Sequence, residues 1–204
     1  DKKEAFGKLV KKRIYNFNYL SRAHGVEGDA TPHWMNLFRL EKEDLERGHG
    51  VTKWIPLGLA LADILELENQ QFATRLLAIL ELFTAEARYK TATDKVKRHM
   101  KKAAAGTELP DLSAFNVPFQ LSNTQTIFAT CDIMTKVYEK LGESSDELIA
   151  DSSFRNTVEK ADGLIKSNIL VKLCNNLNNQ CSSKAQQILY SIDSLYALNK
   201  VRHY

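Results

Sequence analysis

Residues 69–104 read as one unbroken helix whose buried side runs out halfway along. Phe72, Leu76, Ile79 (with Leu80) and Phe83 recur at intervals of three and four, which aligns them on one face of an α-helix. From Arg88 to Lys102 that stripe thins to Val96 and Met100, while Arg88, Lys90, Lys95, Lys97, Arg98, Lys101 and Lys102 stand against a single acid, Asp94. A helix that keeps helix-forming residues but loses its core side is expected to run past the body of the protein. This one leaves it positively charged.

The remaining segments give it neighbours to pack on. Residues 2–24 are predicted as the first helix, with Phe6, Val10, Ile14, Phe17 and Leu20 inside, Leu9 beside them, and His24-Gly25 as its end. After a loop, Thr31-Pro32 is a start signal: a capping hydroxyl followed by proline at the first helical position. The helix so begun runs to Arg47, burying Trp34, Leu37, Phe38 and Leu45, and stops at Gly48-His49-Gly50. In the next helix, 52–68, Trp54, Ile55, Leu57, Leu59, Leu61, Ile64, Leu65 and Leu67 cover more than one face, which predicts a central place in the bundle. The long helix follows after a kink near 68–70.

Pro110 and Pro118 exclude a regular helix from 107–121, where Phe115, Val117, Phe119 and Leu121 alternate with period two. That pattern predicts an extended strap laid in a groove between helices. Ser122 or Asn123 then caps a helix ending at Leu141-Gly142, with Ile127, Cys131, Met134, Tyr138 and Leu141 inside. Beyond residue 145 the stripe continues through Val158, Ala161, Ile165, Ile169, Leu173 and Leu177, then Cys181, Ala185, Ile188, Ile192 and Leu195. The asparagine-rich run 175–180 between them is the expected weak point, because asparagine is a poor helix former. Together these elements predict an all-α fold, an elongated bundle of six to seven helices with one extended apolar strap. It forms a single domain over 1–204, with 107–121 as the place for any sub-division.

Net charge is only +3, so the informative charge is local. The first helix carries Lys8, Lys12, Tyr15, Tyr19 and Arg22 opposite its apolar side, with Lys11 alongside. Interleaved cations and phenols on an exposed face suit phosphates, since cations neutralise charge while rings stack. This face and the basic half of the long helix are the candidate binding surfaces for a polyanion or an acidic partner. Glu139, Glu143, Asp146, Glu147 and Asp151 offer an internal alternative: pairing with a basic arm of the same chain, or reciprocally in a homodimer.

Reaction chemistry is not visible. His24 and His33 flank Asp29, but structural zinc needs four close ligands at tighter spacing, and helix capping explains both histidines. Cys174 and Cys181 lie seven apart on an apolar face and read as core; three cysteines without framework spacing point to reduced thiols in a cytosolic protein. The segment Gly48-His49-Gly50-Val51-Thr52-Lys53 lacks both the phosphate-loop pattern and a preceding strand. The longest charge-free apolar run, 54–62, falls far short of a bilayer span. No signal peptide opens the chain, and its start without methionine suggests a fragment.

The expected function is therefore non-enzymatic, with no cofactor and no metal. The chain reads as an interaction module, an adaptor or scaffold domain of a larger cytosolic protein, in the manner of trafficking, cytoskeletal or polarity machinery. It would recognise a partner peptide or helix in an inter-helix groove. The alternative is a polyanion-binding domain whose basic faces meet anionic lipid head groups or nucleic acid.

Overall fold

A computed structural model describes residues 2–24, 34–35, 39–40, 45–46, 54–89 and 122–192, with the backbone alone at 86–89. These residues form an all-α bundle: α1 (Lys2–His24), α2 (Trp54–Ile64), α3 (Asn69–Tyr89), α4 (Asn123–Gly142), α5 (Asp146–Ala150), α6 (Ser152–Ile165) and α7 (Val171–Ile192). A π-helical turn, Lys166–Leu170, joins the last two. One contiguous apolar core runs through these helices, from Phe6 to Cys181.

The central element is α4. Its predicted stripe (Ile127, Cys131, Met134, Tyr138, Leu141) is fully buried, and the helix packs against α1, α2 and α3. Ser122 caps it, its hydroxyl accepting from Gln125 N–H at 3.0 Å. The Glu46 carboxylate reinforces the cap, accepting from Asn123 N–H at 2.8 Å and Thr124 N–H at 3.2 Å. Desolvation pushes Glu46 up, but hydrogen bonds from Thr124 and Asn123 outweigh it and hold the carboxyl below its ordinary value. Antiparallel to α4 lies α1. Phe17 stacks on Tyr138 with ring centroids 6.1 Å apart, and Val10 lies so close to Gly142 that a Cβ there would sit 3.3 Å from it.

The buried side of α1 departs from the sequence expectation at one position. Phe6, Val10, Arg13, Phe17, Leu20 and His24 are buried, so the stripe passes through Arg13, and Ile14 is only half-buried. Arg13 donates from Nε to Asp162 Oδ1 at 2.7 Å and from a terminal nitrogen to Oδ2 at 2.8 Å. Tyr138 donates to Asp162 Oδ1 at 2.7 Å. Burial pushes the Asp162 carboxyl up, but the hydrogen bonds from Arg13 and Tyr138 prevail and hold it below the aspartate range. Burial first, and then the Asp162 charge, drive Tyr138 well above its ordinary value. One fork thus ties α1, α4 and α6 together, in the planar geometry that guanidinium and carboxylate share.

Other expectations need correction. The second helix is not continuous over 31–47: Trp34–Met35 and Arg39–Leu40 are non-helical, and only Leu45–Glu46 among the described residues of that stretch is helical. Met35 has φ 51°, which a right-handed helix cannot contain. Its N–H is held by Tyr19 Oη at 3.0 Å, while the neighbouring Trp34 indole donates to Asn178 at 2.8 Å. Between α2 and α3 the chain breaks rather than kinks, with short-range bonds from Leu65 N–H to Ala62 and from Leu67 N–H to Ile64 closing the first helix. The strap at 107–121 and the continuation of the long helix beyond Tyr89 lie outside the described residues.

The asparagine run 175–180 is regular α-helix; the irregularity falls at Lys166–Leu170 instead. Ala161, Ile165, Ile169, Leu173, Leu177 and Cys181 are all buried and step by four throughout. Each such step overshoots a full α-helical turn by about 40°, so a regular helix would carry the later residues away from the core. The π turn admits one extra residue and sets the face back. Asn168, within it, donates to Thr84 of α3 at 3.2 Å. Past Cys181 the stripe emerges: Ala185 is half-buried, and Ile188 and Ile192 are exposed.

His24 serves the helix end as expected, with Nδ1 2.8 Å from Leu20 O one turn back, but it is also sealed in, and Nε2 is without a hydrogen-bond partner among the described residues. Desolvation lowers its pKa to about 4.

Two measurements test this account. Asp162→Ala leaves Arg13 buried without a counter-ion, and should cost ~3–5 kcal/mol by urea unfolding. The paired change Arg13→Met with Asp162→Leu should cost less than half as much. For His24, the unfolded chain binds the proton that the folded chain refuses. Stability therefore falls as pH drops from about 6.5 towards 4, by up to ~3 kcal/mol from this group. A His24→Gln variant should show a shallower loss of urea midpoint between pH 7 and pH 4 than the parent chain, and parallel curves would exclude this role for His24.

Candidate binding groove and the basic face of α1

The described part of the molecule presents two surfaces with a shape or charge suited to a ligand. The first is a groove of about 580 Å³ between α2 and α4. Trp54, Ile55, Gly58, Leu59 and Ala62 form one wall; Gln125, Thr126, Ala129, Thr130 and Ile133 form the other. Both walls follow helical spacing, so each helix turns one continuous side to the gap.

The groove explains why α2 looked central in the sequence. Pro56, Leu57, Ala60, Leu61 and Ile64 face the core, while Ile55, Gly58, Leu59 and Ala62 are half-buried or exposed on the opposite side. Its second apolar side is not covered by a described helix, and Leu59 remains 42 % exposed. Among the described helices α4, rather than α2, holds the central place. Small residues at Gly58, Ala62 and Ala129 keep the gap open, and a Cβ added at Gly58 would meet nothing within 4 Å. Trp54 closes one end; its indole N–H is buried without an acceptor among the described residues. The side-chain hydroxyls of Thr126 and Thr130 turn back to carbonyls one helical turn earlier, at 3.1 and 2.7 Å, which leaves their methyl-bearing sides for the groove.

None of the groove residues was among the predicted binding residues. The available signal was the excess of apolar positions on α2, together with a second line on α4, Gln125, Ala129 and Ile133, stepping by four beside the core stripe.

The second surface is the face of α1 opposite its core. Lys8, Lys11, Lys12, Tyr15 and Arg22 are exposed, as the sequence suggested. Lys8 pairs with Glu4 at 2.7 Å one turn earlier, and Arg22 Nε donates to Asn18 O at 3.3 Å. Tyr19 is different: half-buried, it lies against Tyr15 (centroids 6.5 Å apart) and against Trp34 (5.6 Å). It therefore covers a neighbouring segment as well as contributing to the face. Arg88 lies at the backbone-only end of α3, and Lys90, Lys95, Lys97, Arg98, Lys101 and Lys102 lie outside the described residues.

Of the acidic segment, Asp146 pairs with Lys3 of the same chain at 2.7 Å, an exposed contact. Cys131 and Cys181 are buried and Cys174 is half-buried, all as free thiols; burial pushes Cys131 up to about 12, where it is a poor nucleophile at neutral pH. Among the described residues no helix is long and apolar enough to cross a membrane, and no group of histidines, cysteines and carboxylates is placed to hold a metal ion. Comparison of the chain with protein-family models, with curated proteins and with solved structures gives no match.

Proposed function

We propose that the protein is a non-enzymatic interaction module of a cytosolic assembly, and that the α2–α4 groove receives a short amphipathic helix from a protein partner. The observation that supports this reading is the second apolar side of α2, partly exposed at Leu59 and covered by no described helix. The groove walls extend over nine residues of each helix, from Trp54 to Ala62 and from Gln125 to Ile133. That length, about 12 Å, accommodates two turns of an incoming helix, enough for anchors at i, i+3 or i+4 and i+7. Exposed apolar surface gathered between two helices is more often an interaction site than an accident of composition.

The small residues supply the test. Gly58→Ala removes a helix-interior glycine without a clash, and should raise stability by ~0.5–1 kcal/mol in thermal or urea unfolding. Ala129→Trp should leave helicity and unfolding midpoint near those of the parent, because Ala129 is exposed, yet fill the groove. A photo-crosslinker at Leu59 should capture a protein partner in the parent chain and lose it with Ala129→Trp. Capture that survives the filled groove, or a parent chain that crosslinks to nothing, would refute the groove as the recognition site.

A further inference from the structure

We infer that the outer face of α1 is a docking surface for an anionic membrane, on which the helix lies flat. The inference is independent of the α2–α4 groove and rests on three observations about the face itself.

The first is charge segregation along one helix. Between Glu4 and Glu27 the sequence holds no acid, while Lys8, Lys11, Lys12 and Arg22 stand on the exposed side of α1. At about 100° per residue these four and Tyr15 fall within roughly 100° of one another, diametrically opposite Phe6, Val10, Arg13 and Phe17. The acids of the neighbouring elements bear on the ends and flanks. Glu4 meets Lys8, Asp146 meets Lys3, Asp132 is paired with Lys136 at 3.0 Å, and Glu159 lies by Ala5 and Leu9 on the inner flank. Lys11 and Lys12 lie between these, in the middle of the face.

The second observation is that Tyr15 protrudes among the cations and Met35 protrudes next to Tyr19. Tyr15 is 64 % exposed and Met35 is 65 % exposed. Met35 is anchored through its N–H on Tyr19 Oη, and its positive φ is a conformation methionine rarely adopts. Trp34, bonded to Asn178, backs the Tyr19 ring from the protein side. An amphipathic tyrosine on a lysine face, with a flexible thioether next to Tyr19, matches the boundary of head groups and acyl chains, where rings settle and lysine stems reach outward to phosphates.

The third is the shape and the kind of cation. A convex rod has no cleft for a strand or a duplex, and three of its four cations are lysines, point charges on flexible stems. Those suit a fluid layer of head groups better than the fixed, forked phosphate contacts that arginine makes with nucleic acid. One side of the Tyr15 ring is already turned to Tyr19, at 18° between planes, which leaves less of it for base stacking.

Flotation of the full chain with vesicles tests the assignment. The parent should float with phosphatidylcholine vesicles containing about one-third phosphatidylserine at low salt, stay behind with pure phosphatidylcholine, and release as salt shortens the Debye length. Lys11→Gln with Lys12→Gln should weaken binding about 25-fold, from about fivefold per surface cation. Lys160→Gln with Lys166→Gln, the same charge change on exposed positions of the α6 side, should change it less than threefold. Tyr15→Ser should weaken binding at every salt concentration where the parent still floats. The proposal is overturned if the parent ignores anionic vesicles, if both lysine pairs matter equally, or if a single-stranded oligonucleotide is bound more tightly than the vesicles.

Discussion

The bundle is organised around a charge placed where an apolar side chain would be expected. Arg13 occupies a core position of α1, and its guanidinium can remain there only because Asp162, itself held by Tyr138, meets it from another helix. Such a fork adds little net stability over a well-packed hydrophobic trio, since desolvating the two ions offsets most of their attraction. Its effect is on register. Sliding α1 along α4 by one turn would leave apolar contacts nearly as good, because Phe, Val and Leu are interchangeable at that resolution, but it would strand an arginine. The close approach of Val10 to Gly142 gives the same register a steric limit at the other end of the contact.

With α4 fixed in this way, the two faces of α2 follow. One closes the core and the other has no described helix to meet, and the groove is what this leaves between α2 and α4. The cap on α4 contributes to its position. Ser122 is local, but Glu46 belongs to a distant stretch of chain and grips the same helix end that forms the groove's wall at Gln125 and Thr126. Charged acceptors at a helix N-terminus also interact favourably with its exposed amides.

The sequence made the all-α class and the ends of α1 and α4 legible, because periodic apolar spacing reports directly on burial, but not the division of 146–192 into three helices and a π turn. The stripes of α3 and α4 are buried as read, and Ser122 caps as expected. Arg13 was illegible for the opposite reason: periodicity marks where the core is, and a lone cation on that face gives no notice of partners 125 and 149 residues away in the chain. Thr31-Pro32 failed as the start of a continuous helix because a local signal competed with long-range bonds from Trp34 and to Met35. For the two candidate surfaces the outcome is split. The exposed side of α1 could be read from its charges, while the groove depended on which of the two apolar sides of α2 its neighbours would cover, and that is a property of packing alone.

The π turn at Lys166–Leu170 bears on how this chain can vary in length. A π turn is a helix with one residue more than its path requires, so removing one residue there would tighten the turn to α while leaving both flanking helices in place. Chains of common descent could therefore differ by a single-residue gap at this point and keep the same architecture. The gap would fall beside Asn168, whose bond to Thr84 is the contact to α3 made from within the turn.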